Sequence, residues 1–158
     1  MSTDTARRQR VIFLCTHNSA RSQMAEGMLR AWGGEGFEVF SAGTEATRVR
    51  PEAIEVMREI GIDLSGHTSK TLAPFMGEAF HWLITVCDQA AEACPTIPGV
   101  RQQAHWSIDD PSAVQGAEPV RLAAFRGARD HLRDRIHMFL LAAGRSDLPA
   151  PAPTRIGG

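Results

Sequence analysis

Apolar residues run unbroken from Val11 to Leu14, and β-branched and aromatic side chains dominate the stretch RVIFLCT. It reads as a short strand buried on both faces. After a polar loop, Met24, Met28, Leu29 and Trp32 fall on one face of a helix expected from about Ser19 to Trp32, with Gly33-Gly34 as its stop. FEVFSAG reads as a second strand, ended by Gly43. Pro51 suits the first turn of a helix; Ile54, Met57 and Ile60 then recur at helical spacing up to Gly61. HWLITVC is a third strand and QQAHWSI a short fourth. From Glu118 to Ala142, Phe125, Leu132, Ile136, Phe139 and Leu140 mark one face of a long helix whose other face carries Arg126, Arg129, Asp130, Arg133 and Asp134.

Strands alternating with helices predict an α/β fold: a four-stranded parallel sheet flanked by helices on both faces. In such sheets a ligand lies beyond the carboxyl ends of the strands. Cys15 and Cys87 each end a predicted strand, so residues 72 apart in sequence are expected at one rim. The chain of 158 residues is expected to form one domain over 10–143, with flexible polar or Pro/Gly-rich termini at 1–9 and 144–158.

Composition narrows the function. A formal net charge of -1 offers no bulk basic field for nucleic acid. No apolar run approaches the ~20 residues of a membrane span. The short apolar stretch after the basic start lacks the length and cleavage site of a signal peptide, which points to the cytoplasm. Three cysteines do not make a disulfide scaffold, and the six histidines form no HExxH pattern. A zinc site from Cys87, Cys94 and a histidine lacks the expected ligand spacing, so no metal is expected. Nothing demands more than a monomer.

The chemistry concentrates in CTHNSARS, Cys15 to Ser22. A loop leaving a strand and opening a helix gathers backbone N–H groups, helped by the helix dipole, into an anion site. Arg21 adds a planar fork for two oxygens of a tetrahedral oxyanion, and Ser19 and Ser22 add hydroxyls. A helix N-terminus and an arginine also favour thiolate over thiol, which makes Cys15 the candidate nucleophile. The GxxxxGK[ST] spacing of a nucleotide-triphosphate loop is missing. A departing oxygen needs a proton donor, and WSIDDPS offers Asp109 and Asp110 on a turn after the fourth strand.

With these residues in place the chain resembles the low-molecular-weight protein tyrosine phosphatase fold. More narrowly, VIFLCTHNSARSQMAEG, SAGT, GIDLSGHTSK, ITVCDQAAEACP and AHWSIDDPSAVQG resemble thioredoxin-coupled arsenate reductases of that fold, from about Arg10 to Ala143. The resemblance implies that the loop Thr16, His17, Asn18, Ser19, Ala20, Arg21 and Ser22 binds arsenate and Cys15 attacks the arsenic. Asp110, just before Pro111, would protonate the leaving oxygen. Cys87 would then form a disulfide with Cys15 and expel arsenite, and Cys94 would take over to give Cys87–Cys94. No bound cofactor is implied. The reductant is external, thioredoxin or else glutathione with glutaredoxin, and the process is arsenic detoxification. Some relatives carry a cysteine where Ala20 stands and glycine where His17 stands. Relatives that bind a monovalent cation carry an aspartate near the position of Lys70, so its ammonium either does the cation's work or is a surface charge.

The alternative is a phosphatase hydrolysing phosphate monoesters, which has no use for Cys87 and Cys94. Reducing arsenic(V) takes two electrons, which thiols supply by becoming a disulfide. DPSAV lacks the aromatic wall expected of a phosphotyrosine slot, and the chain has no tyrosine. A non-catalytic oxyanion sensor would need neither Asp110 nor further thiols. DQAAEAC is rich in helix formers. As a helix it would hold Cys87 and Cys94 roughly 10 Å apart along the axis, beyond the ~7 Å limit between disulfide-linked Cα atoms. The segment is therefore expected to loop or unwind as oxidation proceeds.

Overall fold

The computed structural model describes residues 8–88 and 97–143. The chain ends, Cys94 and most of the DQAAEAC segment lie outside the described residues.

Four strands form one parallel sheet: β1 (Gln9–Cys15), β2 (Phe37–Gly43), β3 (Trp82–Thr85) and β4 (Gln102–His105), in the order β2-β1-β3-β4. Leu14 stands opposite Ala42 on one side and Thr85 on the other, and Cys15 stands opposite Gly43. The strand order reverses at β1, so its carboxyl end opens into the crevice where such sheets bind ligands. Among the described residues the three α-helices are α1 (Arg21–Gly33), α2 (Pro51–Arg58) and α3 (Glu118–Ala142).

The two-residue period of β1 sorts its side chains between two cores. Val11, Phe13 and Cys15 face a cluster with Met24, Met28 and Leu29 of α1, Val56 and Met57 of α2, and Phe125, Leu132, Ile136 and Leu140 of α3. Ile12 and Leu14 face a smaller cluster with Ala42, Phe80, Leu83 and Ile97, against which Phe40, Leu72 and Phe75 pack. Among the described residues, that second face is covered by the segment around the 310 turn Ala73–Phe75.

α1 starts at Arg21, two residues later than its periodicity predicts, because Asn18 has a left-handed backbone (φ 49°) and the Ser19 carbonyl accepts a hydrogen bond from Arg50 N–H. α2 stops as expected: Gly61 adopts φ +83°, and Ile62 N–H returns to the Met57 carbonyl. α2 is fastened to α3 by Glu59, which accepts from Arg126 (2.7 Å) and Arg129 (2.8 Å). The Arg126 hydrogen bond leads in holding the Glu59 carboxyl down at about 2. β4 ends at His105, not at Ile108, because the chain there turns back over the end of β1.

Candidate active site

The site is built on the loop between Cys15 and α1. Its carbonyls all face outward to donors. Thr16 O accepts from Thr44 Oγ1 and Glu45 N–H, both at 3.0 Å. His17 O accepts from Ser69 Oγ at 3.0 Å, and Asn18 O from Gln23 Nε2 at 3.3 Å. Ser19 O accepts from Arg50 N–H (2.9 Å) and Ala20 O from Met24 N–H (2.8 Å). An anion cradle made of backbone needs this orientation, because a carbonyl facing inward would repel the oxyanion.

Asn18 holds the loop in shape. It is fully buried, and its side-chain amide is used at every position. Nδ2 donates to Ser22 Oγ (2.8 Å) and Ser41 Oγ (3.0 Å). Oδ1 accepts from Gln23 Nε2 (2.9 Å) and Lys70 N–H (2.8 Å). The side chain thus serves the loop's architecture, and asparagine tolerates the left-handed backbone better than most residues. Ser41 passes the network on to the buried carboxylate of Glu26, which is paired with Arg30.

Cys15 is 2% exposed, with its Sγ 2.9 Å from Ser22 Oγ. Arg21 is 3% exposed, not a surface residue of the helix. Its Nη1 donates to the Ile108 carbonyl (3.1 Å), and its Nη2 lies 3.7 Å from Asp110 Oδ2. Asp110 Oδ1 accepts from Ser112 N–H at 2.9 Å, so the turn fixes this carboxylate facing the arginine of the anion loop. Asp109 is exposed and lines a cleft toward Ala124, Gly127 and His131 of α3. Cys87 is fully buried, its Sγ 3.8 Å from the carbonyl of Leu14, the residue before Cys15. The two thiols therefore share the rim of adjacent strands β1 and β3.

His17 lies at the mouth, about half exposed, with Nε2 3.7 Å from Glu45 Oε1. Lys70 turns its ammonium to the Thr68 carbonyl at 2.8 Å, the same oxygen that accepts from Gln23 Nε2. Burial pushes the imidazole of His67 below its ordinary value, so it is neutral near pH 7. Its Nδ1 faces Gln23 Oε1 at 3.0 Å, which assigns the proton to Nδ1, since the Gln23 amide nitrogen is spent on Asn18 and Thr68. No group of three or more His, Cys, Asp or Glu placed to hold a metal occurs among the described residues.

Sequence reasoning did not single out Gln23, Glu26, Ser41 or Thr68, and gave Gly43 only the role of ending a strand. The available signals were polar residues within apolar elements: Gln23 and Glu26 in the buried stretch of α1, and Ser41 inside β2. Gly43 is required by close approach. A Cβ there would lie 2.7 Å from Thr16 O, 2.8 Å from Asn18 N and 2.9 Å from Cys15 O, all backbone atoms. Gly43→Ala is expected to destabilise the fold by about 1–3 kcal/mol and to weaken phosphate binding, because the anion loop must move. Thermal melting with and without phosphate measures both effects; an unchanged response to phosphate would show that the loop keeps its shape.

Residues 10–147 match the family described as low molecular weight phosphotyrosine protein phosphatase. The chain is 42% identical over 129 residues to an arsenate reductase of Halalkalibacterium halodurans, covering 82% of this chain and 93% of that one. Among solved structures it is similar to an arsenate reductase in the phosphate binding state, with 31% identity and a TM-score of 0.72 over 85% of this chain and 98% of that one. It is also similar to a thioredoxin-dependent arsenate reductase of Corynebacterium glutamicum, with 26% identity and a TM-score of 0.56 over 84% of this chain and 63% of that one.

Proposed function

The chain belongs to the low molecular weight phosphotyrosine protein phosphatase family, and from the site it builds on that fold we infer an arsenate reductase. The enzyme reduces arsenate to arsenite. The observation that carries this reading is the second buried thiol: Cys87 sits against the Leu14 carbonyl, one residue from the nucleophile's backbone. Hydrolysis of a phosphate ester has no use for it.

The reaction divides into three exchanges. The Cys15 thiolate attacks arsenic, forming an S–As bond, and one arsenate oxygen leaves as water with a proton from Asp110. Arg21 and the loop amides hold the remaining oxygens. Next, the Cys87 thiolate attacks Cys15 Sγ. The S–S bond forms, and the electron pair of the S–As bond stays on arsenic, which departs as arsenite. Cys94 then attacks Cys87, frees the Cys15 thiolate and leaves a Cys87–Cys94 disulfide for an external dithiol. The sum is one arsenate and two thiols giving arsenite, a disulfide and water. Thioredoxin is the proposed dithiol, in line with the Corynebacterium relative; glutathione with glutaredoxin would serve a two-cysteine cycle. Buried cysteines at positions 15 and 87 that work as thiols suit the reducing cytoplasm. Every proposed catalytic group comes from one chain, so a monomer suffices, with no nucleic acid or membrane required. No helix among the described residues is long and apolar enough to cross a membrane.

The test is arsenate-dependent oxidation of thioredoxin beside hydrolysis of an aryl phosphate. Hydrolysis without any arsenate-dependent oxidation would favour the phosphatase reading. Within the same assay, Asp110→Asn is expected to lower the rate about 10²–10⁴-fold, the usual worth of general acid help. Asp109→Asn, whose carboxylate is on the exposed side of the turn, is expected to cost far less. Equal losses would mean that the acid role does not belong to Asp110 alone.

A further inference from the structure

The turn that carries Asp110 lies between two carbonyls bound by arginines. On the near side, Arg21 Nη1 donates to Ile108 O at 3.1 Å. On the far side, Arg121 Nη1 donates to Gly116 O at 2.7 Å. Arg121 does not act alone. Its Nε donates to Glu52 Oε2 at 3.2 Å, and Glu52 also accepts from Arg50, through Nε at 3.3 Å and Nη2 at 3.5 Å. The backbone N–H of Arg50 donates to Ser19 O of the anion loop at 2.9 Å. The guanidinium of Arg50 also lies over the Phe125 ring, 5.9 Å from its centroid.

These contacts form a continuous connection. It runs from Ser19 in the anion loop through Arg50, Glu52 and Arg121 to Gly116 at the end of the acid turn. Glu52 is the hub, its side chain only 12% exposed and paired with both arginines. Burial pushes its carboxyl up, but hydrogen bonds from its own backbone and from Arg121 and Arg50 outweigh this and keep it ionised below its ordinary value.

We propose that Glu52 and Arg121 form a positioning clamp that sets the distance between the anion loop and the acid turn, and so the placement of Asp110 over the leaving oxygen. The clamp touches neither substrate nor thiol and acts through Asp110. It rests on the reading of Asp110 as the general acid. A misplacement of about 1 Å in a reacting group can cost on the order of 10²-fold, whereas an ordinary half-exposed ion pair contributes little.

The experiment is a double-mutant cycle. Arg121→Ala is expected to lower kcat on the order of 10-fold to 100-fold, with the KM for arsenate within about 2-fold, because the anion loop keeps its own bonds to Ser69, Gln23 and Lys70. In the Asp110→Asn background the same substitution should cost nothing further. Glu52→Gln, close in shape, gives a milder form of the same pattern and guards against a folding defect in Arg121→Ala. A loss of kcat that persists in the Asp110→Asn background overturns the clamp, and so does a rise in KM with kcat unchanged. The cycle is run on both arsenate reduction and aryl-phosphate hydrolysis, since the two share the protonation step. Absence of arsenate turnover in the unsubstituted protein would count against the reductase reading, while the hydrolysis cycle would still decide the clamp.

Discussion

Cys15→Ser is expected to remove arsenate reduction and aryl-phosphate hydrolysis together. In the proposed mechanism both begin with attack by the same sulfur, and among the described residues the other cysteine, Cys87, is fully buried. Ser22 Oγ lies 2.9 Å from Cys15 Sγ, but that hydroxyl also accepts from the Asn18 amide and belongs to the loop's scaffold. A serine at position 15 keeps the shape of the strand end and lacks a readily formed anionic nucleophile at neutral pH. The cradle should therefore survive. Stabilisation of the variant by phosphate in thermal melts should match that of the unsubstituted protein while turnover is absent. Persisting arsenate turnover in Cys15→Ser would remove the thiolate from the mechanism.

Cys87→Ser is the second large effect, and it separates the two activities. Reduction should stop after formation of the thio-arsenate adduct, since the thiol proposed to attack Cys15 Sγ, and so to leave the S–As electron pair on arsenic, is gone. Hydrolysis should persist, because it uses only Cys15, Arg21 and Asp110. Cys94→Ser should allow one attack by Cys87 and then stall. Mass spectrometry of trapped protein is expected to find Cys87–Cys94 in the unsubstituted chain and Cys15–Cys87 in the Cys94 variant. Normal thioredoxin-supported turnover by Cys94→Ser would replace the three-thiol cycle with a two-cysteine cycle finished by glutathione.

Some of this site was legible in the sequence because it is local. Cys15 and Arg21 share one loop between a buried strand and a helix, and the apolar run of β1 announces that strand without help from the rest of the chain. The period of α3 and the glycine after α2 are local signals of the same kind. What was not legible depends on convergence. Gln23, Ser41 and Lys70 come from three separate segments and meet at the Asn18 amide, and the Thr68 carbonyl joins them through the Gln23 amide. Glu52 and Arg121 are ordinary charged residues in their own helices until the packing of α2 on α3 brings them together. Helix starts are set by loop contacts that periodicity does not encode, which is why α1 begins at Arg21. His17 stands where some relatives carry glycine, and the structure gives it Glu45 as a neighbour.

The burial of both thiols also governs how the resting protein meets the wider chemistry of a cell. Oxidation of cysteine by peroxides follows exposure as well as thiolate character, and here Cys15 is 2% and Cys87 0% exposed. Bulky electrophiles meet closed protein surface, whereas the proposed anion loop suits a small tetrahedral anion. Selectivity is thus exercised at the door, before any bond is made, and the idle enzyme keeps its reducing power for the oxyanion that can enter.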